Sequence, residues 1–185
     1  MSDKKRIMRS RYSAGAQAYW RRYQHIQEEK YKQLIAKLDF QGKTLFLDLG
    51  AGSATFEKYV KQHASSSSFK YYALDLSRDL LQHHSSSVNG EMIVGDMEHL
   101  PFKSSCSKLT ISISSIMNCN LPSLAWSEIM RVTSSDGSIV LSTLEKVMSK
   151  GALASLVGMP EEEIFQCGEE DVAIIIDKKR KENEE

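Results

Sequence analysis

The chain has only three cysteines, three prolines and ten glycines in 185 residues, and no net charge, with 24 basic side chains matching 24 acidic ones. Cys106, Cys119 and Cys167 are odd in number and show no C-x-x-C spacing, so neither a disulfide framework nor a zinc site is expected. A reducing, cytoplasmic home is the corresponding expectation. Long apolar runs are also missing. The longest, Val172 to Ile176, falls far short of the roughly 20 residues a membrane helix needs. The basic start (Lys4, Lys5, Arg6) leads into no apolar stretch, so no secretory signal is expected. Zero net charge argues against a uniformly basic nucleic-acid binder but leaves room for a local basic patch.

What is present fits an ordinary globular protein, with 41% hydrophobic and 26% charged residues. A chain of this length buries roughly 70% of its unfolded surface, enough for a core without disulfides, and one domain is expected over residues 1–185. The zero charge is a cancellation. Residues 1–24 carry seven basic side chains (Lys4, Lys5, Arg6, Arg9, Arg11, Arg21, Arg22) against Asp3, a net of +6, and the rest carries −6. Glu161, Glu162, Glu163, Glu169, Glu170 and Asp171 form an acidic stretch with no basic residue inside it. Two readings stay open: a solvated basic arm and a solvated acidic turn, or an arm that meets an anionic substrate or partner.

Hydrophobic periodicity places a helix over about 14–38, where Tyr19, Tyr23 and Ile26 begin a stripe continued by Tyr31, Leu34, Ile35 and Leu38. Strands are expected at 44–49, 69–74, 91–94, 109–114, 138–143, 163–166 and 172–177. Helices are expected near 54–62, 78–84, 124–132 and 147–157, with a turn at Ser135-Asp136-Gly137. The serine runs Ser65–Ser68 and Ser85–Ser87 read as loops, and residues 178–185 as a charged, disordered tail. Strands alternating with helices of this length imply crossovers, hence an α/β, doubly wound, Rossmann-like and mostly parallel seven-stranded sheet. The last two strands are close enough to form a C-terminal antiparallel hairpin. The organisation is then an N-terminal arm and helix over 1–40, which the likeness described below makes a lid, a core over 41–177, and the tail.

Such sheets bind ligands outside the carboxyl ends of the strands, where the strand order reverses. Those ends carry Asp48–Gly52, Asp75, Asp96 and Ser114–Asn118. Gly50 and Gly52 sit where the first strand turns into its helix, and glycine lets a ligand approach the backbone closely. Asp75, at the end of the second strand, is placed to accept both hydroxyls of a ribose. A dinucleotide fingerprint would need a third glycine where Thr55 stands, and no P-loop occurs. Asp48, two residues before Gly50, would repel pyrophosphate and suits a cationic ligand such as a sulfonium with a ribose and an ammonium group.

Four segments then carry a family likeness: LFLDLGAGSATF (45–56), YYALDLS (71–77), GDMEHLPF (95–102) and EIMRVTSSDGSIVLS (128–142). In order and spacing they resemble the motifs of class I S-adenosylmethionine-dependent methyltransferases, most closely the type 11 group that includes quinone-biosynthesis enzymes. The likeness spans about residues 12–145. It implies S-adenosyl-L-methionine as cofactor. By the resemblance, Asp48, Gly50, Ala51 and Gly52 line its methionine part; Asp75 takes the ribose hydroxyls, and Leu76 packs on the adenine. Asp96 accepts from the adenine amino group, Met97 donates its backbone N–H to the ring, and Ser114 and Ser115 face the methionine part. Tyr12 and Tyr19 match paired aromatics of a lid helix.

Three departures stand out. Ala54 replaces a usual glycine, a mild change; Lys108 replaces a frequent aspartate; and the region after the fifth strand is short, leaving little room for a substrate cap. Asn118 and Cys119 could reach a substrate or simply form a turn. His25, His63, His83, His84 and His99 share no metal-ligand spacing and read as surface residues. No residue stands out as a catalytic base. The functional expectation is in-line methyl transfer to a small molecule. One alternative is a tRNA- or protein-modifying enzyme that uses the basic residues 1–24 and a small activating subunit. Another is a cofactor-binding protein without catalysis.

Overall fold

The computed structural model describes residues 25–40, 43–63, 69–83 and 90–181. The basic arm and the tyrosines Tyr12 and Tyr19 lie outside the described residues.

The first helix, α1, includes residues 25–35. Then follow β1 (Leu45–Leu49), α2 (Phe56–His63), β2 (Lys70–Asp75), α3 (Arg78–His83), β3 (Glu91–Val94) and β4 (Ser107–Ser112). The second half consists of α4 (Pro122–Val132), β5 (Thr133–Leu144), α5 (Lys150–Val157), β6 (Phe165–Cys167), β7 (Asp171–Asp177) and α6 (Lys178–Lys181). The seven strands form one sheet in the order β3-β2-β1-β4-β5-β7-β6. Strands β1 to β5 pair in parallel, and β7 runs antiparallel to both β5 and β6. The expected doubly wound sheet with its C-terminal hairpin is therefore present. From β1 the chain steps outward through β2 to β3, then returns to the other side of β1 as β4. The order reverses between β1 and β4, the place where sheets of this kind bind their ligands.

Side chains alternate across the sheet because a strand turns successive residues to opposite faces. Leu47, Leu49, Ile139, Leu141 and Ile174 pack on Ile129 and Val132 of α4 and Leu153 and Val157 of α5. Phe46, Ile111, Val140 and Ala173 face the opposite layer, with Tyr31, Leu34 and Ile35 of α1, Phe56, Tyr59 and Val60 of α2, and Leu81 of α3. Each such side chain, fully buried, contributes roughly 1.5–3 kcal/mol. Tyr31 sets α1 against α2 through edge-on contacts to Phe56 at 5.1 Å and Tyr59 at 5.3 Å. No helix of the described residues is long and apolar enough to cross a membrane.

Several boundaries differ from expectation for identifiable reasons. Strand β5 starts at Thr133, straight out of α4, and the expected turn at 135–137 is an excursion inside it. Ser107 pairs with Thr133 and Leu109 with Ser138, so five steps on β5 oppose two on β4. Gly137 suits this bulge, because a Cβ there would lie 2.9 Å from Thr133 Cγ2 and 3.0 Å from the Ser107 carbonyl. Strand β4 ends at Ser112, two residues early, because Ser114 leaves the extended region with φ 52. Glu163 belongs to a 3-10 turn, Glu161–Glu163, after Pro160, so β6 starts two residues late. At the other end, Lys178–Lys181 form a helical turn where a disordered tail was expected. Lys178 Nζ donates to the carbonyls of Met130 at 3.1 Å and Thr133 at 2.8 Å, closing the end of α4. Lys108, the family departure, pairs with Asp136 at 2.5 Å on the surface. The acidic stretch is also not uniformly solvated: Asp171 is fully buried against Lys30, and Glu170 pairs with Lys146 at 3.1 Å.

Candidate cofactor site at the β1–β4 switch point

The loop after β1 is tightly folded. The N–H groups of Gly50 and Ala51 both reach the Leu74 carbonyl, at 2.7 and 3.1 Å, and Ala54 N–H closes onto Ala51 O at 2.8 Å. Gly50, Gly52 and Ala54 all take left-handed backbone, with φ of 72, 55 and 56. Glycine accepts this conformation without penalty, whereas alanine costs roughly 1–2 kcal/mol. Position 54 is therefore more than a mild substitution: its backbone is one that glycine fits best. The two glycines differ in what surrounds them. A Cβ on Gly52 would face open space, whereas one on Gly50 would fall on the Ser115 hydroxyl, with Met97 Cε at 3.2 Å. The group that approaches Gly50 is thus Ser115, from the end of β4.

Asp75 ties the loop to β2. Its Oδ2 accepts from Gly52 N–H at 2.9 Å and its Oδ1 from Ser77 N–H at 2.8 Å. Burial raises its pKa, and the N–H donors of Ser77, Gly52 and Leu76 oppose the rise. A carboxylate offers about four acceptor positions, so a ribose could still be accepted on those left over. Asp48 lies in β1, buried on the α1 and α2 side of the sheet, and accepts a hydrogen bond from the Tyr71 hydroxyl of β2. Burial pushes its carboxyl from 3.8 up to about 7; the Tyr71 hydrogen bond opposes this, and the charge of Asp75 adds to it. The two carboxylates therefore sense each other across the loop.

The third expected segment follows β3. Asp96 Oδ1 accepts from Glu98 N–H at 3.0 Å, and Asp96 O from His99 N–H at 3.0 Å, turning the chain back on itself. Met97 is buried, its Sδ accepting from Ser112 Oγ at 3.7 Å and lying 4.0 Å from Cys119 Sγ. Leu76 is half-buried beyond Asp75. Cys119 is buried, with 8% of its surface exposed. Asp48, Gly50, Ala51, Gly52, Asp75, Met97, Ser114 and Ser115 thus lie around the carboxyl ends of β1, β2 and β4. Tyr19 lies outside the described residues.

Several supporting residues were not singled out from the sequence. Glu98 accepts from the N–H groups of Asn120 at 2.5 Å and Leu121 at 3.1 Å, fixing the chain before α4. Glu128 accepts from Leu100 N–H at 2.7 Å and from Arg131 Nε at 2.6 Å. Arg131 also donates to the Phe102 and Leu100 carbonyls at 2.8 and 3.1 Å, clamping loop 100–102 onto α4. Glu128 is held below the usual carboxylate range chiefly by its Arg131 hydrogen bond. Glu128, Arg131 and Tyr71 fall inside the segments that carry the family likeness, though none was singled out there, whereas Lys30 lies in none of the four.

The family profile described as a methyltransferase domain matches residues 47–141, just over half of the chain. The chain belongs to the class I S-adenosylmethionine-dependent methyltransferase family. Among curated relatives, a malonyl-[acyl-carrier protein] O-methyltransferase of Pectobacterium atrosepticum is 28% identical over 136 residues, covering 73% of this chain and 51% of that one. The Buchnera aphidicola protein of the same name is 30% identical over 145 residues, covering 78% and 56%. The chain spans about half the length of these relatives. The same methyltransferase fold occurs in an S-adenosyl-L-methionine-dependent methyltransferase of Methanococcus maripaludis, at 17% identity, TM-score 0.72, and 90% and 93% coverage. It also occurs in a chain of the complex between the Haloferax volcanii Trm112 methyltransferase activator and a methyltransferase, at 17% identity, TM-score 0.72, and 84% and 75% coverage. S-adenosyl-L-methionine is this methyltransferase family's cofactor, and the donor set fits it: two acidic side chains flank the glycine loop, which faces open space at Gly52. They complement a ligand whose sulfonium and ammonium are positive.

Proposed function

We propose that this protein catalyses methyl transfer from S-adenosylmethionine to a small-molecule acceptor. The observation that carries the reading is the coupled pair Asp48 and Asp75 on either side of the Gly50–Gly52 loop, at the point where the strand order reverses. When bound, the cofactor supplies an activated methyl: the acceptor's lone pair forms the new bond while the carbon–sulfur pair departs with sulfur as a neutral thioether. Asp75 would hold the ribose hydroxyls, with Leu76 against the adenine. Asp96 and the Met97 N–H would read the adenine edge. Asp48, Ala51 and Ser114 would surround the methionine part, and Tyr19 would cover it. Much of the rate would come from alignment, worth roughly 7–11 kcal/mol for a well-oriented pair. A general base is needed only where the acceptor must first lose a proton. The curated relatives are named for O-methylation of a malonyl group, and a carboxylate oxygen is already ionised at neutral pH.

A second reading has one specific support, the fold shared with a chain of a complex that contains a methyltransferase activator. In that reading, residues 1–24, with their +6, would steer tRNA or an acidic protein, and a partner subunit would complete the acceptor side. A methyl-label transfer assay on fractionated carboxylic acids, other small molecules, tRNA and protein separates the two. Label in the small-molecule fraction supports the first reading. Label in tRNA only, lost when residues 1–11 are removed, supports the second. Calorimetry in which NADH binds and S-adenosylmethionine does not would overturn both.

A further inference from the structure

Four polar side chains distant in sequence meet at the carboxyl ends of β4 and β5, beside the switch point. Lys30, on α1, is 2% exposed, and Asp171, the first residue of β7, is wholly buried. Lys30 Nζ donates to Asp171 Oδ1 at 2.7 Å and to Ser114 Oγ at 3.0 Å. Ser114 Oγ donates to Asp171 Oδ2 at 2.5 Å, and Ser142 Oγ donates to the same oxygen at 2.9 Å. Ser114 N–H in turn reaches Ser142 Oγ at 2.9 Å and Ser142 O at 3.0 Å. The hydrogens are consistent throughout. Each serine hydroxyl donates once to the carboxylate and accepts once, Ser114 from the ammonium and Ser142 from a backbone N–H.

Stability alone gives little reason for such an arrangement. A buried ion pair loses much of its Coulomb attraction to desolvation, and well-packed apolar residues often serve as well or better. Ser114 also has left-handed backbone, φ 52, which a non-glycine residue keeps only where its surroundings over-determine it. The Lys30–Asp171–Ser142 set does this, gripping both the hydroxyl and the N–H of Ser114. The next residue is Ser115, whose side chain fills the space over Gly50 beside Met97 Cε. Its position follows directly from the backbone angle of Ser114.

We infer that Lys30 and Asp171 are positioning residues for the methionine end of the cofactor, acting through Ser114 and Ser115. They join α1 to the wall of the site at Gly50. A second contact, Gly168 N–H to Gln33 Oε1 at 2.9 Å, seats the β6–β7 turn on the same helix. The inference rests on the proposed reading of the site.

The test uses the full chain and two nucleoside ligands, S-adenosylhomocysteine and 5′-methylthioadenosine, which share the adenosine and sulfur but differ in the amino acid part. Calorimetry is run on the native protein, Lys30→Met, Asp171→Asn and Ser142→Ala, with thermal unfolding of each. Lys30→Met and Asp171→Asn are expected to weaken S-adenosylhomocysteine about tenfold or more and leave methylthioadenosine within twofold. Ser142→Ala, a small change that removes one hydrogen bond to Ser114 and one of the three to Asp171, is expected to give the same split at several-fold. It keeps the question decidable if the charge variants do not fold. Equal weakening of both ligands would mean a loosened fold and would overturn the inference, as would unchanged binding of both by a folded variant. Native protein that binds neither ligand would instead overturn the cofactor reading itself.

Discussion

Tyr71 of β2 donates its hydroxyl hydrogen bond to Asp48 of β1, and the two side chains share one face of neighbouring parallel strands. Their register makes them diagonal neighbours, since Tyr71 lies opposite Phe46 and Asp48 opposite Ala73. A carboxyl that burial has pushed up to about 7 therefore sits at the mouth of a loop suited to a cation. Its ionised form attracts a sulfonium and its neutral form does not.

Affinity for S-adenosylmethionine should accordingly rise with pH, by about tenfold between pH 6 and 8, as Asp48 goes from mostly protonated to mostly ionised. Calorimetry across this range is the measurement. Tyr71→Phe, which deletes the donor that favours ionisation, should move the midpoint upward; Asp48→Asn should flatten the curve. The ligand-free protein should show the opposite trend. With the folded pKa raised from 3.8 to about 7, the folded state binds the Asp48 proton more tightly than the unfolded chain. This contribution to stability falls as pH rises through that window and is level above it. Asp48→Asn should therefore unfold at a higher temperature than the native protein at pH 8.

Asp75→Ala should weaken S-adenosylmethionine by at least tenfold, about 1.4 kcal/mol. It removes the carboxylate that would take the ribose and also leaves the N–H groups of Gly52 and Ser77 without their acceptor. Isothermal titration with the native protein as reference reads the change. Retained affinity would remove Asp75 from the site.

The two loop glycines should respond unequally to alanine. Gly52→Ala meets open space and costs only backbone strain, roughly 1–2 kcal/mol. Gly50→Ala bears the same strain and also drives its Cβ into Ser115, adding roughly 1–3 kcal/mol of overpacking. Urea unfolding should rank them so, and Ser115→Gly should partly rescue Gly50→Ala while doing nothing for Gly52→Ala.

Arg131→Met should cost about 2 kcal/mol by removing charge-assisted hydrogen bonds to Glu128 and to the loop carbonyls. Loop 100–102 should then exchange its amide hydrogens faster than it does in the native protein, with β4 and β5 unchanged. Unchanged exchange there would show that α4 holds the loop by packing alone.

Much of the architecture was legible in the sequence because it is written locally. Short apolar runs such as Leu45–Leu49 and Val172–Ile176 marked strands, and the acidic residues and glycines at the strand ends marked the ligand edge. Boundaries failed where tertiary contacts outweighed local pattern. The turn signal at Ser135–Gly137 became a bulge within β5 because the flanking segments both pair with β4. The basic run at the C-terminus became a helical turn because Lys178 had two carbonyls of the α4 end to satisfy.

By itself the sequence determined the order of strands and helices, the family, and the identity of the acidic residues at the strand ends. These depend on residues close together in the chain and on the handedness and spacing that βαβ units impose. Only the tertiary structure decided which charges are buried and what each residue faces. Lys30 and Asp171 are 141 positions apart, and Lys30 and Ser114 are 84 apart, so no local pattern links them. The same holds for Gly50, whose missing side chain makes room for Ser115. The zero net charge likewise said nothing about Asp171, which forms a buried pair because α1 packs on the sheet and brings Lys30 to it.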